Sequence, residues 1–158
     1  MSRSLKLPGL IALGLVINFA LLVFYYTPAP KALVGDENYY DQVALQINAG
    51  QQVPYDLRWP PLYPEFINAV FVLFGAQRII YVQIVQLALG IITALLFERI
   101  VHKITGSSIT SGIALALFLL CPELIVFTHY LWPETLHLFF WILSLWLLIC
   151  APDRKSVV

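Results

Sequence analysis

Long apolar runs alternate with shorter polar segments along this chain. Four of the runs are about 20 residues long, and a helix of that length crosses roughly 30 Å of hydrocarbon. We therefore predict four membrane-spanning helices, at 7–26, 79–101, 109–128 and 132–150. A fifth run, 62–74, would reach only about 20 Å as a helix, which favours a position at the membrane surface over a crossing.

The segment 27–78 separates the first two predicted spans and carries two shorter helical patterns. The first pattern predicts a helix over about 37–49, with Asp36 as its N-cap, Glu37 in its first turn and Gly50 just beyond its end. Its apolar face follows the 3–4 spacing of a helix and consists of Tyr40, Val43, Ala44 and Ile47.

The second pattern in this segment begins at a pair of prolines, Pro60 and Pro61. Because proline favours an extended residue before it and is accepted in the first turn of a helix, we predict a helix over about 61–74 that ends at Gly75. Its predicted apolar stripe is Leu62, Phe66, Ala69, Val70 and Leu73. The predicted fold class is an all-α integral membrane unit over 1–158, with four transmembrane and two interfacial helices.

Composition agrees with a membrane protein. The chain has 158 residues, of which 60% are hydrophobic and only 11% charged, with a mean hydropathy of +0.83. The formal net charge is zero, which excludes the basic field of a nucleic-acid-binding protein. Cys121 and Cys150 both lie in apolar runs and have neither disulfide-framework nor metal-ligand spacing. The first apolar run is too long for the core of a cleaved signal peptide.

Basic residues predict the orientation, because they concentrate on the cytoplasmic side of membrane proteins. With four spans, one side would carry Arg3, Lys6, Arg99, Lys103, Arg154 and Lys155, and the other Lys31, Arg58 and Arg78. We therefore predict that both termini are cytoplasmic and that the loop 27–78 faces outward. The acidic residues of that outer side are Asp36, Glu37, Asp41, Asp56, Glu65 and Glu134.

The outer segments carry motifs that resemble a known family. Asp36-Glu37-Asn38-Tyr39-Tyr40, Pro60-Pro61-Leu62-Tyr63-Pro64, Phe74-Gly75, Arg78 and Tyr130-Leu131-Trp132-Pro133-Glu134 follow one another in an order similar to that of the GT-C membrane glycosyltransferases. The chain resembles the bacterial branch of the protein mannosyltransferases, with the lipid A aminoarabinose transferases and the lipopolysaccharide galacturonosyltransferases. These enzymes take a sugar from a polyprenyl-phosphate carrier at the outer face of the membrane.

The resemblance implies a role for each matched residue. Asp36 would be the catalytic base that deprotonates the acceptor hydroxyl, Glu37 would share or shape its site, and Glu134 would be a second acidic site. The substrate or its phosphate would contact Arg58, Arg78 and Tyr39, with His129 as a weaker candidate. The reaction would invert the configuration at the anomeric carbon of the sugar. The resemblance implies an acceptor that is a glycan, lipid or protein and a location in the inner membrane. It leaves open whether a divalent cation takes part, although the sequence shows no metal-ligand set.

Other interpretations remain. Members of this family have several hundred residues and roughly ten or more spans, so we expect this chain to correspond to the N-terminal part of such a fold. Asp36 and Glu134 also suit helix N-termini, where acidic residues are stabilising. The alternative to an enzyme is a membrane partner or scaffold subunit. A transporter with Glu123 on an ion path is a third interpretation, because a carboxylate within a span is often functional.

Overall fold

A computed structural model describes residues 6–21, 23–24, 32–53 and 58–150. These residues form helices and connecting turns, without β-strands. The helices are α1 (Lys6–Leu21), α2 (Asp36–Asn48), α3 (Leu62–Phe74), α4 (Ile79–Thr105), α5 (Ser108–Leu120), α6 (Pro122–His129) and α7 (Glu134–Cys150). Of the charged residues used to predict the orientation, Arg3, Lys31, Asp56, Arg154 and Lys155 lie outside the described residues.

Helix α4 is the longest helix and packs against α3, α5, α6 and α7. It runs antiparallel to α5 and α6, because Phe97 near its end contacts Phe118 whereas Gly90, two turns earlier, lies against Thr128. Helix α1 runs in the same direction as α5 and α6, since Gly14 packs on Leu119 and the Thr128 hydroxyl is 3.4 Å from Asn18 Oδ1. The ends of α1 and α6 and the start of α4 therefore meet at one end of the bundle.

The predicted helix at 109–128 is wrong as a single element. It is two helices, α5 and α6, that meet at a bend of 50°. The cause is Pro122, which lacks an N–H and disfavours helical geometry in the residue before it. Cys121 accordingly has an extended backbone (φ −67°, ψ 118°), and Pro122 begins α6.

Helices α2 and α3 form a pair that covers the start of α4. Their shared core contains Tyr40, Ala44, Tyr63, Ile67, Val70 and Phe71. The core continues into Val82 of α4, into Leu131 of the turn before α7, and into Leu136 of α7. The face predicted for α2 is confirmed by the burial of Tyr40, Val43 and Ala44.

The stripe predicted for α3 is mostly wrong. Leu62, Ala69 and Leu73 are exposed, whereas Tyr63, Pro64, Ile67, Val70 and Phe71 are buried. This helix is apolar almost all round, so the spacing of its apolar residues does not identify the buried face. Contact with α2 and α4 selects that face.

Only α4, within the described residues, is by itself long and apolar enough to cross a membrane. The bent pair of α5 and α6 meets the same criterion when taken together, and α1, α3 and α7 are shorter apolar helices. Large hydrophobic side chains are nevertheless exposed on several helices, among them Val16, Phe19, Leu73, Leu117, Trp141 and Leu148.

Candidate functional site

One end of the bundle brings together two segments that are far apart in sequence. One is the start of α2, and the other is the turn 130–133 between α6 and α7, which we call the α6–α7 turn. The side chain of Glu37 joins them. Its Oε1 accepts the Leu131 N–H at 2.9 Å, and its Oε2 accepts the Val34 N–H at 3.2 Å. Glu37 is fully buried, with 0% of its surface exposed.

Asp36 is adjacent to Glu37 but has an exposed side chain. It is not the N-cap that the sequence suggested. Gly35 occupies that position with a positive φ of 61°, and Asp36 is the first residue of α2. A carboxylate in the first helical turn is stabilised by the N–H groups that the helix leaves without internal partners. The exposed carboxylate of Asp36 thus lies at the very start of α2.

Glu134 lies on the other side of the junction, as the first residue of α7. Its Oε2 atom is buried and has no hydrogen-bond partner among the described residues. The turn that precedes it is held against α2 through Leu131, three residues earlier. The two acidic residues predicted from separate outer loops, Asp36 and Glu134, therefore border the same junction.

Two tyrosines fill the space between these carboxylates. Tyr40 and Tyr63 are 2% and 1% exposed, and their rings meet edge to face at 4.9 Å. Burial raises the pKa of Tyr40 to about 12, and the negative charges of Asp36 and Glu134 add to the shift. Burial also raises the pKa of Tyr63 well above its ordinary value, with contributions from Glu134 and Glu37. Both phenols thus remain protonated at neutral pH and can donate hydrogen bonds.

Two glutamines of α4 hold the end of α6 beneath this cluster. Gln86 Nε2 donates to the carbonyl oxygens of Phe127, Thr128 and Tyr130 at 2.8 to 3.2 Å, and Gln86 Oε1 accepts the Tyr63 hydroxyl. Gln83 Nε2 donates to the His129 carbonyl at 2.7 Å. The sequence analysis missed both residues. Their signal is a pair of amides one helical turn apart inside an apolar run.

An aromatic surface borders Asp36 on the side of the loop before α3. The rings of Tyr39 and Trp59 are stacked with centroids 5.2 Å apart, and Trp59 also meets Tyr40 edge to face at 5.8 Å. Arg58, which precedes Trp59, has an exposed side chain on this side of the site. Tyr39 and Trp59 thus form an aromatic pair beside the start of α2, and Arg58 directly precedes Trp59 in the chain.

The remaining predicted cations lie elsewhere. Arg78 precedes α4 and lies over the ring of Tyr81 at 6.0 Å. Its neighbour Gln77 donates to Asn48 Oδ1 at 2.7 Å, at the opposite end of α2 from Asp36. A helix of this length separates its ends by roughly 18 Å, so Arg78 can reach only a ligand that extends along α2. His129 is fully buried.

No group of three or more His, Cys, Asp or Glu side chains able to hold a metal ion occurs within the described ranges. At the junction, Glu37 accepts two backbone N–H groups, and the charges of Asp36 and Glu134 act on the phenol of Tyr40. The chemistry that these residues can perform without a metal is proton transfer and hydrogen bonding to hydroxyl-bearing ligands.

Comparison of the chain with protein-family models, with curated proteins and with solved structures finds no match in any of the three.

Proposed function

We propose that this chain is a membrane-embedded unit of an inverting glycosyltransferase that takes its sugar from a polyprenyl-phosphate carrier at the outer face of the membrane. The observation that carries this proposal is the junction of α2 with the α6–α7 turn. There Asp36 and Glu134, the two acidic residues that the GT-C resemblance selects, both act on the phenol of Tyr40.

The membrane part of the proposal is supported by the exposed apolar surface. Exposed hydrophobic patches of large area mark membrane or protein contacts, since water disfavours them. In this chain they lie on α1, α3, α5 and α7, on faces turned away from α4, while the acidic junction lies at one end. Four spans with cytoplasmic termini would put that end outside the cytoplasmic membrane.

The proposed reaction uses Asp36 as the base. The carboxylate would accept the proton of an acceptor hydroxyl, whose oxygen attacks the anomeric carbon of the donor sugar. The bond from that carbon to the phosphate oxygen breaks on the opposite face, so the configuration inverts and polyprenyl phosphate leaves. Arg58 would neutralise charge on the leaving phosphate, and Tyr39 would contact the sugar.

A second candidate function is a non-catalytic membrane partner, and one observation favours it. Helix α7 exposes a row of large side chains along much of its length, including Phe140, Trp141, Leu145, Leu147 and Leu148. Another membrane protein could cover this row as readily as lipid does. On this alternative, Asp36 stabilises only the start of α2, and its charge contributes nothing to transfer.

Sugar transfer from a labelled donor distinguishes the two functions. Membranes containing the chain would be supplied with radiolabelled polyprenyl-phosphate sugars, and labelled acceptor would be counted for the parent, Asp36→Asn and Asp41→Asn. Asp41 is a half-buried carboxyl one turn further along α2, so its replacement controls for loss of charge in the same helix. We expect Asp36→Asn to reduce transfer about 100-fold or more and Asp41→Asn to retain it.

Two results would contradict the proposal. One is equal transfer by the parent and Asp36→Asn. The other is an absence of transfer by the parent together with no protection of the chain against heat by added polyprenyl phosphate, because a ligand that binds the folded state raises its thermal stability.

A further inference from the structure

Glu37 differs from its neighbour Asp36 in exposure, which decides whether a carboxylate can exchange a proton with substrate. A base must exchange a proton with substrate, whereas the carboxylate of Glu37 is completely buried and both of its oxygens accept backbone N–H groups. A substrate hydroxyl would have to reach a side chain that has no exposed surface in order to give its proton to Glu37. The geometry is that of a carboxylate that stabilises a backbone junction.

The two hydrogen bonds of Glu37 connect it to residues at different distances along the chain. The Val34 N–H belongs to the segment just before α2, so this bond is local. The Leu131 N–H is 94 residues further along the chain and is itself buried. Leu131 is 0% exposed and belongs to the core shared by α2, α3 and α4. The second bond therefore fixes the start of α2 against the turn that leads into α7.

The consequence concerns the two carboxylates at the site. Asp36 precedes Glu37 directly, and Glu134 follows Leu131 by three residues, so the Glu37–Leu131 bond links the two short segments that carry these carboxylates. We infer that Glu37 is a positioning residue, whose buried carboxylate sets the separation of Asp36 and Glu134 through the Leu131 N–H. This inference rests on the proposed function for its catalytic meaning, but the bond can be tested without transfer.

Amide hydrogen exchange tests the bond directly. The full-length chain in nanodiscs would be compared with Glu37→Gln and Glu37→Asp. A glutamine has one oxygen and an NH₂ group facing two N–H donors, and an aspartate is one methylene too short to reach both. We expect exchange of the Leu131 amide, followed in peptides that cover 130–133, to accelerate about tenfold, the effect of losing one buried hydrogen bond. Asp41→Asn should leave it unchanged.

Crosslinking tests the separation of the two carboxylates. Asp36→Cys and Glu134→Cys would be combined in a background in which Cys121 and Cys150 are replaced by alanine. A short bifunctional thiol reagent should join them efficiently when Glu37 is present and several-fold more slowly when Glu37→Gln is added. Circular dichroism identifies any variant that fails to fold, and Glu37→Asp then provides the comparison.

Sugar transfer completes the test. We expect Glu37→Gln to lower the rate of sugar transfer, because it loosens the position of Asp36, which remains present as the base. Unchanged exchange of Leu131 or unchanged crosslinking would overturn the inference. Loss of transfer with normal exchange would also overturn it and would make Glu37 a catalytic residue. If the parent transfers no sugar, the proposed function fails, and exchange and crosslinking still decide the role of Glu37.

Discussion

At the residue scale, the pKa of Tyr40 reflects its burial and the negative charges near it. Its pKa is raised from 10.0 to about 12, so the folded state holds the phenol proton more tightly than the unfolded state does. The neutral phenol therefore contributes its full stabilisation below pH 10, and this contribution is lost as the pH rises from 10 to about 12. We predict a loss of thermal stability in this alkaline window, followed by phenolate absorbance and melting temperature in detergent.

Tyr40→Phe is the variant that isolates this effect. Phenylalanine keeps the buried ring but has no proton to release, so the alkaline loss of stability should become smaller. Tyr63 has a raised pKa of the same sign and should account for most of what remains. Tyr81→Phe, a change in α4 outside the carboxylate junction, should leave the alkaline profile as in the parent. An equally steep profile in Tyr40→Phe would mean that burial and the nearby carboxylates do not raise the pKa of this phenol.

The second prediction at the residue scale concerns the contribution of Gln86 to stability. The Gln86 NH₂ group donates to three carbonyl oxygens near the end of α6, and its side-chain oxygen accepts the Tyr63 hydroxyl. All of these groups are largely buried. Gln86→Leu keeps a similar volume but leaves those groups without their partner, which typically costs 2–4 kcal/mol. Gln42→Leu, at an exposed position of α2, is the matched control. A free energy of unfolding within about 0.5 kcal/mol of the parent would contradict this role.

The sequence indicated the acidic residues of the site but not their different surroundings. Asp36 and Glu37 are adjacent, but their side chains point about 100° apart on the helix, and only Glu37 faces the core. Which one does so depends on Leu131, which lies 94 residues away and forms its bond through the backbone. A side chain that binds backbone groups leaves no complementary residue type in the sequence, and for the same reason Gln83 and Gln86 escaped notice.

At the scale of elements, a close approach between α4 and α6 depends on Gly90. A Cβ at this position would lie 3.0 Å from Thr128 Cγ2. Thr128 cannot easily turn away, because its side chain is β-branched and its hydroxyl donates to the Ile125 carbonyl at 2.8 Å. We predict that Gly90→Ala destabilises the bundle by about 1–2 kcal/mol, measured as the free energy of unfolding in detergent.

Gly112 supplies the control for this prediction. It lies inside α5 with no neighbouring atom within 4 Å of an added Cβ. Alanine has a higher helix propensity than glycine, so Gly112→Ala should stabilise the chain by up to about 1 kcal/mol. Opposite signs for the two substitutions would locate the effect in the contact with Thr128. Equal stabilisation by both would mean that α4 and α6 do not approach closely at Gly90.

The positions of the helices were more predictable than their faces. Helices α2 and α3 start and end within one residue of the ranges expected from sequence, because a glycine follows each helix in the left-handed conformation, Gly50 after α2 and Gly75 after α3. The bend between α5 and α6 was missed although Pro122 was visible, since length alone suggested one continuous span. The buried face of α3 was missed because a helix that is apolar on all sides has no unique stripe.

At the scale of the whole molecule, polar and apolar surfaces are distributed along the bundle in a way that suits a bilayer. The carboxylates and phenols of the junction lie at the end where α4 begins. His102 and Lys103 lie in the last turn of α4, at the other end. Exposed hydrophobic side chains occupy the length between them. A water-soluble bundle would instead place charged residues along that length, because exposed apolar area is unfavourable in water.

The side of the membrane on which each end lies can be measured by cysteine accessibility. After replacement of Cys121 and Cys150 by alanine, a single cysteine would be introduced at Gln51, just beyond α2, or at Ser108, the first residue of α5; both positions are exposed. Helix α4 lies between them and is about 40 Å long, enough to cross the hydrocarbon core. An impermeant maleimide should label Gln51→Cys in intact cells and Ser108→Cys only after permeabilisation. Labelling of both from outside would show that α4 does not span the membrane, and labelling of Ser108→Cys alone would show the opposite orientation. The reversed orientation would put α2 on the cytoplasmic side, where Asp36 could not meet a donor at the outer face.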